Sequence, residues 1–454
     1  MGLKLLLVCA LALLMAIPAL FVFALLGDRT ARAEKVTEQI GAVWGGEQTF
    51  LGPVIAVPYT SPPLAANQQA MQGVYLVFPT VAQGDVTSQT ELRQRSLFKV
   101  PVYTANLHFH SAFDLAAAGQ NAPTGAVLDW SKSAFLVGVS DERGARSDGV
   151  FTVDGKSYAL APASGLVDIS LQTGGDPNAP ARAADQGGEL HFIGVPAAGI
   201  AAPGGKFTAD ATLRFTGVKR LAVLAWGKST SLTMHGDWAS PSFDGGFLPV
   251  SRTVTPKGFS ASWTVPFLAR GVPAEGVSDN LARLGQTALG VSFVEPANPY
   301  QSVARSLKYA LLFVSLVFLA YFVFETVTGQ RMHPAQYVLV GLTQVIFYLL
   351  LLAIAEQIGF DIAFLAAASA TVSLISAYAG WVFKSRRQGV VAFVAFSLLY
   401  ALIYVLMRLE DLALLVGALT SFAAIAAAMY FTRNIDWYGG SVAADSAIAS
   451  KEAD

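Results

Sequence analysis

The sequence predicts a mixed membrane protein: an N-terminal transmembrane helix, a large β-rich, sandwich-like extramembrane domain, and a C-terminal bundle of five transmembrane helices. Apolar runs near the roughly 20 residues that cross a ~30 Å hydrocarbon core occur once at the start and repeatedly near the end. The region between them has short alternating segments separated by turn formers, which is typical of antiparallel β-structure. The chain of 454 residues is 54% hydrophobic and only 13% charged, which fits this division.

Residues 1–27 are predicted to form the first transmembrane helix, whose apolar run extends from Leu5 to Leu26. Lys4 gives a short basic start, and Ala31-Arg32-Ala33 resembles the cleavage site of a signal peptide. The apolar run is longer than the roughly 7–15 residues of a signal-peptide core. This length favours a retained anchor over the alternative, a cleaved signal peptide.

Residues 28–305 are predicted to form the β-rich domain. Apolar and polar side chains alternate over 207–216 and again over 259–265, as expected for half-buried strands. Asp154-Gly155 separates two such segments and predicts a hairpin, because this pair readily adopts the positive φ values of a type I′ turn. One large sandwich or two smaller units both fit this length, and 36–43 is predicted to be a short helix.

Residues 306–432 are predicted to form five transmembrane helices, and 433–454 a cytoplasmic tail. The expected spans are approximately 306–327, 335–355, 361–383, 389–407 and 412–431. The basic loop Lys384-Ser385-Arg386-Arg387 indicates the cytoplasmic side, since short loops obey the positive-inside rule best. We therefore expect both termini in the cytoplasm and the large domain in the periplasm of a bacterial inner membrane.

The composition argues against several functional classes. A net charge of -1 provides no basic field for nucleic acid, and the single cysteine, Cys9, lies in the first span. His108 and His110 share one face of a predicted strand, where a solvated polar surface and a metal site are alternatives. Because no further ligand and no catalytic motif accompany them, we predict no catalytic, cofactor-binding or metal-binding residues.

Four residues of the membrane region are candidates for a functional role. Glu325 is predicted near the cytoplasmic end of its span, and Arg331 and His333 follow on the same side, where they can pair with it. Gln344 is the large amide nearest to the centre of a span. The alternative is structural: a carboxylate at a loop end, and an amide that bonds across packed helices.

Several local strings resemble the CreD family of bacterial inner-membrane proteins. They include Phe322-Val323-Phe324-Glu325-Thr326, Arg331-Met332-His333-Pro334-Ala335-Gln336-Tyr337, Thr432-Arg433-Asn434-Ile435-Asp436-Trp437-Tyr438 and Gly52-Pro53-Val54-Ile55-Ala56-Val57-Pro58. The resemblance extends from the first anchor to Tyr438. Ser240 departs from the pattern, since the family usually has a histidine before Pro-Ser-Phe at this point.

The resemblance implies an inner-membrane location, a periplasmic domain, and a link to cell-envelope integrity and stress response under a two-component system. We therefore expect a non-enzymatic protein whose periplasmic domain binds an unidentified periplasmic or envelope partner. The alternatives are a transporter or lipid flippase that uses the C-terminal bundle, and a periplasmic metal-dependent hydrolase that uses His108 and His110. The lipid bilayer is the expected environment, and nucleic acid is not an expected partner.

Overall fold

A computed structural model of the chain describes residues 2–62, 70–163, 171–172, 189–295, 299–328, 332–408 and 413–433. The chain divides into two compact units. Met1–Ala33 together with Ala297–Asp454 form a helical unit, and Glu34–Pro296 form a β-rich unit. The prediction of a β-rich domain inserted between membrane helices is thereby confirmed in outline.

The α-helices, in chain order, are α1 Gly2–Leu14, α2 Ala16–Trp44, α3 Phe267–Arg270, α4 Pro299–Lys308, α5 Ala310–Thr328, α6 Pro334–Ile358, α7 Phe360–Val382, α8 Arg386–Arg408 and α9 Ala413–Thr432. The first apolar span is interrupted at Met15, between α1 and α2. Pro18 explains this position, because its ring removes an N–H and clashes with the carbonyl four residues earlier. The predicted helix over 36–43 is confirmed as the end of α2.

The number of membrane spans differs from the prediction. Among the described residues, four helices are long and apolar enough to cross a membrane, or up to five if the bent pair α4 and α5 is one span. The described part of the C-terminal region thus has about three or four apolar spans, whereas five were predicted. The axis turns by 53° between α4 and α5, inside the span predicted over 306–327. The charges of Arg305 and Lys308 lie on α4, and the mainly apolar helix begins only at Ala310.

The strands of the β-rich unit are β1 Gln48–Ser61, β2 Met71–Val77, β3 Val81–Arg95, β4 Phe98–Asp114, β5 Val127–Leu128, β6 Ala134–Val139, β7 Val150–Val153, β8 Lys156–Ala159, β9 Ala161–Pro162, β10 Leu171–Gln172, β11 Glu189–Pro196, β12 Lys206–Val218, β13 Arg220–Leu224, β14 Ser229–Gly236, β15 Pro241–Gly245, β16 Ser251–Thr255, β17 Gly258–Val265, β18 Glu275–Val277 and β19 Ala288–Phe293. Among the described residues they form two sheets. The larger follows the order β10-β11-β6-β1-β13-β19-β15, with β2 and β5 also paired to β1, β18 paired to β2, and β9 paired to β11. The smaller follows β16-β17-β14-β3-β4-β12-β7-β8.

Three sequence-predicted elements are confirmed in this unit. The alternation over 207–216 lies in β12, and that over 259–265 lies in β17. The predicted hairpin is β7–β8, and Asp154 and Gly155 have φ values of 46° and 81°, as a type I′ turn requires. Local turn chemistry and period-2 alternation were therefore sufficient to find these strands.

The two sheets enclose a shared hydrophobic core. Phe50 of the larger sheet meets Phe215 of the smaller at a ring-centroid distance of 5.2 Å. Trp226 is fully buried, and its indole N–H donates to Ser111 Oγ at 3.0 Å. The β1 register shifts between Leu51 and Val54, where a bulge accommodates a proline that has no N–H for the ladder.

Both chain connections of the β-rich unit meet at one end of the larger sheet. β1 begins at Gln48, which pairs with Leu221, and the neighbouring Arg220 pairs with Ser292 near the end of β19. The first and last strands of the unit therefore flank β13 at the same end. We call this end the connection pole.

Candidate functional site

Glu325 is buried near the end of α5 and accepts two hydrogen bonds. The backbone N–H of Met332 donates to Oε1 at 3.0 Å, and the Tyr337 hydroxyl donates to Oε2 at 2.9 Å. A carboxylate that accepts two donors at a buried site is held in one orientation. Glu325 thus links the end of α5 to Met332 and to Tyr337 at the start of α6.

His333 caps the next helix. It is exposed, its Nδ1 accepts from the backbone N–H of Ala335 at 3.2 Å, and the Gln336 side chain accepts from the His333 N–H at 2.9 Å. These reciprocal bonds form a capping box at the start of α6. Arg331, the other predicted partner of Glu325, lies outside the described residues, so that pairing stays a prediction.

Gln344 lies fully buried in the helical unit, within a group of polar side chains from three helices. The Tyr400 hydroxyl donates to Gln344 Oε1 at 3.0 Å, and Thr371 lies beside the same hydroxyl. The amide Nε2 of Gln344 and the hydroxyl of Tyr348 are buried and have no hydrogen-bond partner among the described residues. Two unsatisfied polar groups one helical turn apart form an unusually polar point in an apolar bundle.

A further ionic cluster in the helical unit was missed by the sequence reasoning. Glu356 accepts from the Tyr300 hydroxyl at 3.1 Å, and Arg29 Nη1 lies 3.8 Å from its Oε2. The Glu356 side chain is only 6% exposed, so it is paired inside the protein and not simply solvated at an interface. The sequence indicated this pair only through the predicted topology. Arg29 follows the first span, and Glu356 lies at the end of another span on the same predicted side of the membrane.

The candidate histidines of the β-rich unit lie on a polar face of β4. His108 is exposed, and His110 is half-buried with Nδ1 at 2.7 Å from Asp210 Oδ1 on the neighbouring strand. Among the described residues, no group of three or more His, Cys, Asp or Glu side chains could hold a metal ion. The geometry matches the solvated polar face that was one of the two sequence interpretations.

One edge of the smaller sheet exposes a set of large apolar side chains. β16 is an edge strand and pairs with β17, and the Val250 N–H donates to the Ser262 carbonyl at 2.8 Å just before β16 begins. α3 follows β17 directly, so it lies at the same end of this edge as the segment around Val250. We call the following side chains the edge patch: Leu248 (68% exposed), Val250 (74%), Phe267 (46%) and Leu268 (95%).

A buried arginine anchors the helix that displays half of this patch. Arg270 is 3% exposed, its Nε donates to the Ala225 carbonyl at 2.9 Å, and its guanidinium lies 4.1 Å from the Phe78 ring centroid. Burial lowers the pKa of Arg270 to about 9. The helix therefore turns its arginine into the core and its Phe267 and Leu268 side chains toward solvent.

Sequence reasoning did not identify the edge patch. Its signal was present, since Leu248 and Val250 flank Pro249 after a double glycine, and Phe267-Leu268 follows Pro266 at the end of a predicted strand. An apolar side chain next to a turn-forming residue is only weakly expected to be buried, so these four side chains could have been predicted to be exposed. What the sequence could not provide was the pairing that makes β16 an edge.

The comparisons with known proteins identify one family. The family model described as "Inner membrane protein CreD" matches residues 1–438. The chain is also 30% identical over 437 residues to "Inner membrane protein CreD" of Escherichia coli (strain K12), which covers 95% of this chain and 92% of that protein. The family's name states a location in the inner membrane and names no reaction. The chain belongs to the CreD family of inner membrane proteins.

Proposed function

We propose that this protein is a non-enzymatic inner-membrane binding protein that contributes to envelope integrity through its β-rich unit. In this proposal the β-rich unit faces the periplasm, both termini are cytoplasmic, and the edge patch with β16 receives an extended polypeptide segment of an envelope partner. The observation that carries the proposal is the edge patch itself.

The edge offers two kinds of interaction. β16 is exposed along its whole length from Ser251 to Thr255, so backbone N–H and C=O groups on its outer side can pair with a further strand. The apolar side chains at its end supply pockets or anchors, which is how peptides added to a sheet edge gain specificity. Exposed apolar side chains at one end of an open edge favour association unless a partner covers them.

The anchoring of α3 supports a preformed surface. Two hydrogen bonds from Arg270, to the carbonyls of Ala225 and Pro273, hold the helix against the core. A rigid display of Phe267 and Leu268 reduces the conformational entropy that binding must overcome. The outward orientation rests on the positive-inside rule, with Lys384 in the short connection between α7 and α8 and with Arg386 and Arg387 in the first turn of α8.

Site-specific photocrosslinking in cells tests this proposal. A photoreactive residue at position 250 or 268 of the full-length protein is expected to capture the same envelope component. Lys156, on the opposite edge strand β8 of the same sheet, is the matched control. The substitution Leu268→Asp is expected to abolish capture from position 250 without lowering the amount of protein in the membrane. Equal capture from position 156, or capture that is unaffected by Leu268→Asp, would contradict a specific edge site.

A second candidate function is transport or lipid flipping through the helical unit. The observation that favours it is the pair of buried groups without partners among the described residues, Gln344 Nε2 and the Tyr348 hydroxyl. Leaving such groups unsatisfied costs about 1–3 kcal/mol each, so a water molecule or a polar substrate group would be stabilised there. Flux measured in proteoliposomes is expected to fall at least tenfold in Gln344→Leu if this is a conduit. Unchanged flux with an intact fold would exclude the conduit.

A further inference from the structure

The β3–β4 hairpin ends in a short basic tip, which we define as Glu91–Lys99. The turn is Ser96-Leu97, and Ser96 has a φ of 58°. Arg93, Arg95 and Lys99 are exposed, while Leu97 and Phe98 are half-buried. Cationic groups beside partly exposed apolar side chains are the combination that favours a lipid–water interface.

The basic tip belongs to the connection pole. The base of the hairpin is linked to both chain connections through Val218 and Lys219. The Lys219 N–H donates to the Pro101 carbonyl at 3.1 Å, the Val218 N–H donates to the Gly46 carbonyl at 3.1 Å, and the Phe293 N–H donates to the Lys219 carbonyl at 2.7 Å. Gly46 precedes the first strand of the unit, and Phe293 ends its last strand. The hairpin therefore emerges between the two points where the chain enters and leaves the β-rich unit.

The hairpin also packs on the helical segment that enters the unit. The contacting side chains are Val36, Ile40 and Trp44 of α2 against Val100, Val102 and Val218 of the sheet. The Arg93 guanidinium lies 4.4 Å from the Trp44 ring centroid. Val36, Ile40 and Trp44 lie in the last part of α2, through which the chain enters the β-rich unit.

The tip itself carries three cationic side chains, Arg93, Arg95 and Lys99, against one acidic side chain, Glu91. Asp237 lies beside its base, where its Oδ1 accepts from the Thr90 N–H at 2.8 Å. Glu91 pairs with Arg93 at 2.6 Å, and Glu295 lies within electrostatic range of Lys99. Arg95 adds a further positive charge at the turn, where it pairs in the ladder with Phe98. Each exposed Lys or Arg near an anionic membrane surface strengthens the attraction to it, and covalent tethering keeps the local lipid concentration high.

We propose that the basic tip of the β3–β4 hairpin binds anionic phospholipid headgroups of the bilayer that anchors this protein. The contact fixes how the β-rich unit stands over the membrane, because it adds a third point of attachment to the two chain connections. It is independent of which side of the membrane the unit faces, and it does not use the edge patch.

The test uses the full-length protein in nanodiscs and fluorescence quenching by a headgroup nitroxide lipid. Cys9 is replaced by serine, and a single cysteine at position 96 carries an environment-sensitive fluorophore. The control carries it at position 155, in the β7–β8 turn, which adjoins Thr208 at the far end of β12 from Val218. That separation along the strand is about 33 Å at 3.3 Å per residue.

With one-third phosphatidylglycerol in phosphatidylcholine, we expect quenching at position 96 at least threefold greater than at position 155. Pure phosphatidylcholine, 0.5 M salt, or the double substitution Arg95→Ser and Lys99→Ser is expected to remove most of this difference, because screening and charge loss weaken surface attraction. Circular dichroism checks that the double variant is folded. Equal quenching at the two positions, or quenching that is unchanged by lipid charge and by the double substitution, overturns the proposal.

Discussion

Substituting Gly52 by alanine is expected to destabilise the β-rich unit strongly. A Cβ at this position would lie 2.5 Å from Cε2 of Trp226 and 2.6 Å from Cδ2 and Nε1, far inside the contact distance of about 3.5–4.0 Å. The indole cannot simply step aside, because its N–H donates to Ser111 Oγ and its ring packs edge-on to Phe109 at 5.1 Å. The close approach of a backbone to an indole is therefore what requires glycine here.

The expected loss combines three contributions. Overpacking costs about 1–3 kcal/mol, and movement of the indole forfeits a hydrogen bond of about 1 kcal/mol. Replacing glycine by alanine returns about 0.4–1 kcal/mol through the unfolded chain. The net destabilisation of Gly52→Ala is thus about 1–4 kcal/mol, or a fall in Tm of about 2–16 °C for a unit of this size.

Gly276→Ala is the matched control, since Gly276 also lies in a strand but no atom lies within 4 Å of the position that a Cβ would take there. The assay is thermal unfolding of the full-length protein in detergent, with hydrogen exchange of β1 peptides to localise the effect. We expect Gly276→Ala to change Tm by less than about 3 °C. A Tm for Gly52→Ala equal to that of Gly276→Ala, with unchanged exchange in β1, would refute the packing argument.

Three further predictions concern single side chains. Asp141→Asn is expected to destabilise the β-rich unit by about 1–3 kcal/mol at pH 7. Burial raises the pKa of Asp141, but hydrogen bonds from the Arg143 side chain and the Gly46 N–H outweigh it and lower the pKa below 3.8. This stabilisation is therefore present above about pH 4 and is lost as pH falls through the folded-state pKa. In acid unfolding scans the stabilities of the wild type and Asp141→Asn should therefore converge. A constant difference in stability between them down to about pH 2 would contradict this. Tyr337→Phe removes a hydrogen-bond donor to Glu325. It is expected to lower the stability of the helical unit in detergent by about 1–2 kcal/mol. An unchanged Tm would mean that this hydrogen bond does not contribute to stability. Arg270→Lys is expected to lower the stability of the β-rich unit by about 1–3 kcal/mol and to speed hydrogen exchange in 266–271. The reason is that a lysine cannot reproduce the contacts of the planar guanidinium. Exchange at the wild-type rate in 266–271 would contradict the anchoring role of Arg270.

The sequence was most informative where structure is local. Alternation over 207–216 and the Asp154-Gly155 turn predicted strands and a hairpin that the structure contains. These features depend on neighbouring residues alone, because period-2 patterning and positive φ are properties of a short segment. The hydrophobic spans Pro334–Ile358, Phe360–Val382 and Arg386–Met407 were predictable for the same reason.

Long-range pairing was beyond the sequence. β1 lies parallel to β13, and β3 lies parallel to β14, although each pair is separated by more than a hundred residues. Hydropathy also located the apolar runs but not the break at Met15 or the 53° bend between α4 and α5. Such features depend on which helices pack together and on individual residues such as Pro18.

The candidate residues were found in part. Glu325 and Gln344 were selected because polar groups are rare in apolar spans, and both prove to be buried and hydrogen-bonded. His333 was selected for its charge but acts as a helix cap, a role that its position before Pro334 indicates in retrospect. The edge patch depends on sheet order, which no local pattern in the sequence contains.

The proposed function requires the β-rich unit to lie on the periplasmic side of the inner membrane, and cysteine labelling can measure this. In a Cys9→Ser background, single cysteines at Gly155 and at Ser385 are exposed in intact cells to a maleimide that cannot cross the inner membrane, after the outer membrane has been made permeable. We expect labelling at position 155 in intact cells and labelling at position 385 only after lysis. Labelling at 385 in intact cells, with 155 protected until lysis, would contradict the periplasmic placement on which the proposed function depends.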